Sequence, residues 1–148
     1  MTVMTKENVQ EKIRQVISGS KLANLATVWN NKPWTRYVQT KHLDDGTLNL
    51  YCSTSVKSRK VSQIKSNNNI HLTMSERSND PMSPYVQFSG HAEVLTDPET
   101  KHKLWQEDWN VYFKGPDDPD YCILKFVPHE IELMGAGENP WVPFVWKA

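Results

Sequence analysis

The chain is short of most features that announce an activity. It has two cysteines in 148 residues, Cys52 and Cys122. They lack metal-ligand spacing, and one isolated pair is no disulfide framework, so both are expected to be reduced thiols of a cytoplasmic protein. Neither sign of charge is in excess, with 17 basic and 17 acidic residues. No net field therefore recruits nucleic acid or anionic lipid, and only local charge clusters carry meaning. The first fifteen residues hold no apolar run of signal-peptide type, and nothing approaches the roughly 20 apolar residues of a membrane helix. No Gly-x-Ser-x-Gly nucleophile motif occurs. The histidines at 42, 71, 91, 102 and 129 show no metal-ligand spacing in the sequence. Neither a catalytic side chain nor a metal site is expected.

What is present is aromatic weight: six Trp, five Tyr and four Phe. Large rings support a packed core and leave surface for a ligand or a partner subunit. The length suits one domain spanning residues 1–148. Val9, Ile13, Val16 and Ile17 fall on one stripe and predict a helix over 5–18, with Gly19 as a stop. Strand-like runs follow at 22–29, 34–43 and 47–52, separated by Asn30-Asn31-Lys32-Pro33 and Asp44-Asp45-Gly46, the signature of an antiparallel meander. A helix is predicted over 58–66, then strands at 70–74 and 85–95. Thr96-Asp97-Pro98-Glu99 is a strong helix start, and that helix is predicted to run to Phe113. Trp105 and Trp109, one turn apart, read as core or dimer packing, with contact to a bound ligand ring as the alternative. Asp117-Asp118-Pro119-Asp120 lacks the alternation of a calcium loop and reads as a turn. Strands at 121–127 and 130–134 precede an aromatic tail at 135–148. Strands outnumber helices, which points to a barrel with a few helices outside.

One segment carries candidate chemistry. Ser53-Thr54-Ser55-Val56-Lys57-Ser58-Arg59-Lys60 crowds hydroxyls and cations into a helix entry. Free N–H groups and the positive end of the helix dipole make such an entry an anion site. Arg59 adds two-pronged donors and Lys60 a mobile charge. The plain alternative is a solvated basic helix start with Ser58 as N-cap. If Asp44-Asp45-Gly46 closes a tight hairpin, paired numbers sum to roughly 90. Arg36 would then lie opposite Thr54, beside the grip; the alternative is an exposed edge-strand arginine. Three cations and several hydroxyls gathered at a strand end describe a phosphate site.

These residues also carry a resemblance. Arg36-Tyr37-Val38-Gln39-Thr40-Lys41, followed by Ser53-Thr54 and Ser58-Arg59-Lys60, resembles the FMN-binding pattern of pyridoxamine 5′-phosphate oxidase-like split barrels. The runs at 85–92 and 113–120 resemble the general stress protein 26 branch. The likeness covers roughly residues 7–134. It implies a six-stranded antiparallel split β-barrel, mainly β with flanking helices, acting as a homodimer with FMN at the subunit interface. By the same resemblance, Arg36, Ser58, Arg59 and Lys60 would hold the phosphate and Ser53 and Thr54 complete the hydrogen bonds. The backbone of Tyr37, Val38, Gln39 and Thr40 would line the ring, and either Tyr85 or Gln87 would approach it. In true pyridoxamine phosphate oxidases an Arg-rich C-terminal segment with a His holds substrate phosphate. This chain has no Arg after Arg77, so that activity is not expected. The expected role is a flavin-dependent oxidoreductase acting on a small molecule. The alternatives are a non-enzymatic flavin store or sensor, or a split barrel using F420 or haem.

Overall fold

A computed structural model describes residues 4–77 and 79–148. The first helix, α1 (Lys6–Gly19), opens on Thr5, whose hydroxyl accepts from the Asn8 N–H at 3.2 Å. Its stripe Val9, Ile13, Val16 and Ile17 is buried, as the spacing predicts. Strands β1 (Leu22–Trp29) and β2 (Lys32–Gln39) follow. Only Asn30 and Asn31 form the turn between them, at φ 52° and 60°. Two left-handed residues match the twist of paired strands, and Asn tolerates that region. Lys32 and Pro33, expected in the turn, therefore lie in β2. A proline is tolerated there because β2 is an edge strand.

Next come β3 (Lys41–His42), β4 (Leu50–Ser55), α2 (Arg59–Ser66), β5 (Asn69–Ser75) and β6 (Tyr85–Leu95). The chain continues through α3 (Pro98–Leu104), a 3-10 turn (Glu107–Val111), β7 (Tyr121–Met134) and β8 (Phe144–Lys147). The antiparallel sheet runs β2-β1-β5-β6-β7-β4-β3, with β8 added to β7. Its two ends, β2 and β3, are separated in the chain by the single residue Thr40. One residue spans only about 3.5 Å, so the sheet must curl until its ends meet. This is the split barrel. The seven strand-like runs become eight strands: the last two merge into β7, the second breaks at Thr40 and the tail adds β8. The six-stranded barrel of the resemblance is β1, β2, β4, β5, β6 and β7, with the short β3 and β8 added.

Five expectations change. The hairpin across residues 44–46 is short, pairing only Lys41 with Tyr51 and His42 with Leu50. Arg36 pairs with Leu25 on β1, not with Thr54, because β2 is zipped to β1 along its whole length. The helix predicted to reach Phe113 stops at Leu104, and Trp105 is extended at φ −57°, ψ 138°. The break lets Trp105, Trp109 and Phe113 converge on the Tyr121 ring, with centroids at 5.3, 6.0 and 5.2 Å. Tertiary packing overrides helical spacing here. The strands expected at 121–127 and 130–134 are one strand, β7, interrupted by a bulge at which Gly90 pairs with Pro128 and Ser89 with Glu130. Finally the tail is partly regular: Phe144 and Trp146 of β8 pair with Leu133 and Ile131.

The barrel is filled by Leu25, Leu50, Leu72, Phe88, Leu124, Phe126 and Ile131, all fully buried. A second cluster, Tyr51, Leu104, Trp109, Phe113, Tyr121 and Ile123, covers the other face of β4 and β7. At the bulge, a Cβ on Gly90 would lie 2.0 Å from the Val127 carbonyl oxygen. Gly90→Ala should therefore destabilise the fold by at least about 2 kcal/mol through overpacking against backbone. Urea unfolding of the two proteins measures this, and equal midpoints would contradict it.

Candidate functional site

The site begins where β4 ends. Beyond Ser55 the chain turns into α2, and the turn is clamped. The Ser58 N–H donates to Ser55 O at 3.0 Å, and the Lys57 N–H to Ser55 Oγ at 3.1 Å. Ser55 Oγ donates to Asp120 Oδ1 at 2.7 Å, while Asp120 O accepts from the Val56 N–H at 2.8 Å. Asp120 is itself held by a turn. Asp118 accepts from the Lys114 and Asp120 N–H groups at 2.9 Å each, which holds its carboxyl below the usual carboxylate range. The acidic turn at 117–120 thus fixes the entry to α2, a role its sequence did not reveal.

Ser58 is the N-cap residue of α2, yet its side chain makes no cap hydrogen bond. Its hydroxyl instead accepts from Thr54 Oγ1 at 3.2 Å. No acid stands in the first turn, so the positive end of the helix faces Arg59 and Lys60 uncompensated. Arg36 reaches the same helix from β2. Its Nη1 donates to Thr27 Oγ1 at 2.8 Å and its Nη2 to Gln63 Oε1 at 2.7 Å. Thr27 Oγ1 also donates to Gln63 Oε1 at 2.5 Å. Arg36 thus comes to α2 across β1 rather than through the hairpin. Its Nε–H and one Nη2 hydrogen keep their donor capacity. The Arg59 guanidinium carbon lies 5.9 Å over the Trp34 ring.

Among the described residues, the ion pairs use Arg14, Arg77, His91, His102, Lys125 and Lys147. Arg36, Arg59 and Lys60 have none. Burial, reinforced by the Arg59 charge, lowers the Arg36 pKa. Burial is also the largest cause holding Lys60 below the ordinary lysine value, with Arg36 adding to it and Cys52 opposing it. Like charges are here held together without acids, an arrangement that an anion would relieve.

A cleft of about 510 Å³ lies beside this helix start. Of the sequence-selected residues it is lined by Tyr37, Val38, Gln39, Ser53, Thr54 and Lys60. Ser55, from the segment 53–60, and Trp109, Tyr112, Phe113 and Asp120 complete the lining. Trp109 thus lines the cleft as well as packing on Tyr121, while Tyr112, Phe113 and Asp120 carry no sequence signal for this place beyond the aromatic spacing. Gln39 and Trp109 also border a neighbouring cleft of about 560 Å³ that contains Thr40. The Thr40 hydroxyl oxygen is buried with no hydrogen-bond partner. Arg36, Ser58 and Arg59 stand behind the main cleft rather than in its wall. Tyr85 is not brought to it either: it shares with Tyr37 a separate cleft of about 460 Å³. Gln87 lines none of the three.

The fold is a split barrel, with an uncapped cationic helix start, the kind of place where an anion can be held, beside an aromatic-walled cleft. Residues 9–135 match the family described as pyridoxamine 5′-phosphate oxidase, and the chain belongs to that family. It is 34% identical over 136 residues to general stress protein 26 of Bacillus subtilis (strain 168), covering 92% of this chain and 95% of that protein. The crystal structure of general stress protein 26 from Bacillus anthracis str. Sterne superposes with a TM-score of 0.78 at 27% identity, covering 94% and 98% of the two chains. A pyridoxamine 5′-phosphate oxidase-related, FMN-binding protein from Nostoc punctiforme shares the fold, with a TM-score of 0.73 at 15% identity over 99% of this chain and 93% of that one.

Cys52 and Cys122 are both free and buried on the strands behind the cleft. Burial pushes Cys52 up to about 12 and Cys122 to about 11. Only the thiolate is nucleophilic, so the folded protein should resist alkylation by iodoacetamide at pH 8 and take up two equivalents in denaturant. Rapid labelling of the folded protein, read by mass spectrometry, would contradict this.

Proposed function

We propose that the chain binds FMN in the cleft between β2, β4 and the 3-10 turn, and works as a flavin-dependent oxidoreductase of the general stress protein type on a small molecule. The observation that carries this reading is the cluster Arg36, Arg59 and Lys60, three cations outside the ion pairs of the described residues, around an uncapped helix start with no acid in its first turn. A phosphate monoester supplies the missing charge and accepts the free N–H groups. The fold likeness to an FMN-binding protein points the same way.

Several features support the fit. Ser53, Thr54 and Lys60 share the cleft with Tyr37, Val38 and Gln39 and with three rings, Trp109, Tyr112 and Phe113. Lys60 and the N–H groups opening α2 would hold the phosphate, with Ser53 and Thr54 completing its hydrogen bonds. Arg36 would lend its remaining donors and orient Gln63. Tyr37, Val38, Gln39 and Thr40 would lie along the ring, giving the orphaned Thr40 hydroxyl a partner. Bound FMN supplies the hydride or electron chemistry, so no side chain need act as a nucleophile. Tyr37 and Tyr112, each 74% exposed, and Val111, 78% exposed, stand in and next to the cleft wall. Exposed apolar groups so placed support a homodimer in which a second copy covers the cofactor. Tyr85 would serve that second cleft beside Tyr37 rather than the phosphate end.

Apo-protein titrated with FMN should quench flavin fluorescence stoichiometrically. Lys60→Met, and separately Arg36→Ala, should each weaken binding by about 1.5–3 kcal/mol, roughly ten- to a hundredfold, the scale of a charge-assisted hydrogen bond. Lys60 is protonated when it binds the anion, and its free-state pKa is lowered. Wild-type affinity should therefore fall with rising pH, starting below the ordinary lysine range, and Lys60→Met should flatten that fall. Unchanged affinity in both variants would refute the assignment. Stopped-flow reduction of the complex by NADH or NADPH, followed by acceptor screening, tests turnover; failure with every donor and acceptor would leave a binding protein.

A further inference from the structure

Two histidines that stand 38 residues apart in the sequence meet at the bulge of β7. Val127 pairs with His91, Pro128 with Gly90 and Glu130 with Ser89, so His129 is the extra residue. A bulge re-aims the side chain it carries. Here it brings His129 Nε2 to 2.8 Å from His91 Nδ1, with the ring centroids 5.0 Å apart. The arrangement is built into the backbone. Gly90 must lack a Cβ for the strands to approach, since one would strike Val127 O at 2.0 Å. The C-terminal residue fastens the bulge from the other side, the Ala148 N–H donating to His129 O at 3.0 Å.

The other nitrogen of His91 faces an acid. Its Nε2 lies 3.6 Å from Glu93 Oε1, and Glu93 Oε2 is 4.0 Å from Lys125 Nζ. At 3.6 Å the carboxylate acts on Nε2 through its charge rather than a hydrogen bond, and that charge favours a proton on Nε2, which leaves the Nδ1 lone pair facing His129. Metal-ligating histidines have this pattern, one nitrogen on the ion and the other N–H on a carboxylate.

We propose that His91 and His129 form a site for one borderline transition-metal ion of the Zn²⁺, Ni²⁺ or Cu²⁺ class, held by His91 Nδ1 and His129 Nε2. Imidazole nitrogen selects these ions over Mg²⁺ or Ca²⁺, which take oxygen ligands. Two nitrogens on a tetrahedral ion stand about 3.3 Å apart. The pair therefore opens by about 0.5 Å on exchanging its shared proton for the ion, a movement open to the exposed His129. Among the described residues no group of three or more His, Cys, Asp or Glu is placed to hold a metal. The ion therefore keeps water at its remaining positions and exchanges with solution. The site is independent of the cleft and of any flavin.

The test uses the full chain without an affinity tag, titrated calorimetrically with Zn²⁺ and, as a control, Mg²⁺. The expected result is one Zn²⁺ per chain and no heat from Mg²⁺. His129→Ala, at an exposed position that does not threaten folding, should weaken Zn²⁺ binding at least tenfold. Glu93→Gln should weaken it ten- to a hundredfold, and His102→Ala should leave it unchanged. Electron paramagnetic resonance with Cu²⁺ should show two coupled nitrogens in the wild type and one in His129→Ala. Absence of Zn²⁺ binding, or wild-type affinity in His129→Ala, would overturn the proposal.

Discussion

The structure depends on one geometric constraint: β2 and β3 end opposite edges of the sheet, yet only Thr40 lies between them in the chain. The sheet can satisfy this only by curling shut. Closure brings the backbone at 37–40 against the end of β4, and with it the start of α2. The cleft is therefore a consequence of barrel closure rather than an addition to it. Its far wall follows from the same economy. The first four residues of β7, Tyr121 to Leu124, are buried on both faces, because the segment after α3 lies over Tyr121 and Ile123, and Trp109 and Phe113 arrive at the cleft as it does so.

Electrostatics then distinguishes one end of the cleft. A chain balanced in net charge still concentrates three cations at one helix start, without acids in its first turn or in ion pairs. Holding them there costs stability, visible in the lowered pKa values of Arg36 and Lys60. Of the turn at 117–120, Asp120 lines the same cleft as Lys60 but is engaged with Ser55 rather than with a cation. Asp118 caps its own loop, and Asp120 accepts from Ser55. The acids thus shape the grip without neutralising it by direct ion pairing.

Much of this was legible in the sequence. Helix α1 follows from its stripe, the first hairpin from Asn30-Asn31-Lys32-Pro33 (though only its two asparagines turn), and the start of α2 from the hydroxyls and cations at 53–60. Arg36 was correctly associated with that helix, but for the wrong reason. Hairpin arithmetic assumed β2 pairs with β4, whereas Gln63 draws the guanidinium across β1. Such a contact between distant side chains leaves no local signal. The bulge in β7 was equally silent, because Pro128-His129 reads as a break between two strands and only the partner strand reveals a continuous one. The tail strand β8 was missed because its Pro and Gly neighbours look irregular, while its pairing depends on β7. Trp105 and Trp109 had helical spacing, yet convergence on Tyr121 outweighed it.

The central claim is that the cation cluster recognises a phosphate attached to a flavin. It is tested most directly by comparing FMN with riboflavin, which has the same ring and side chain but no phosphate, in one fluorescence titration at fixed salt. With at least two charge-assisted contacts of about 1.5–3 kcal/mol each, FMN should bind at least a hundredfold more tightly. Equal affinities for the two would contradict the account, and would mean that the cleft holds rings without the grip.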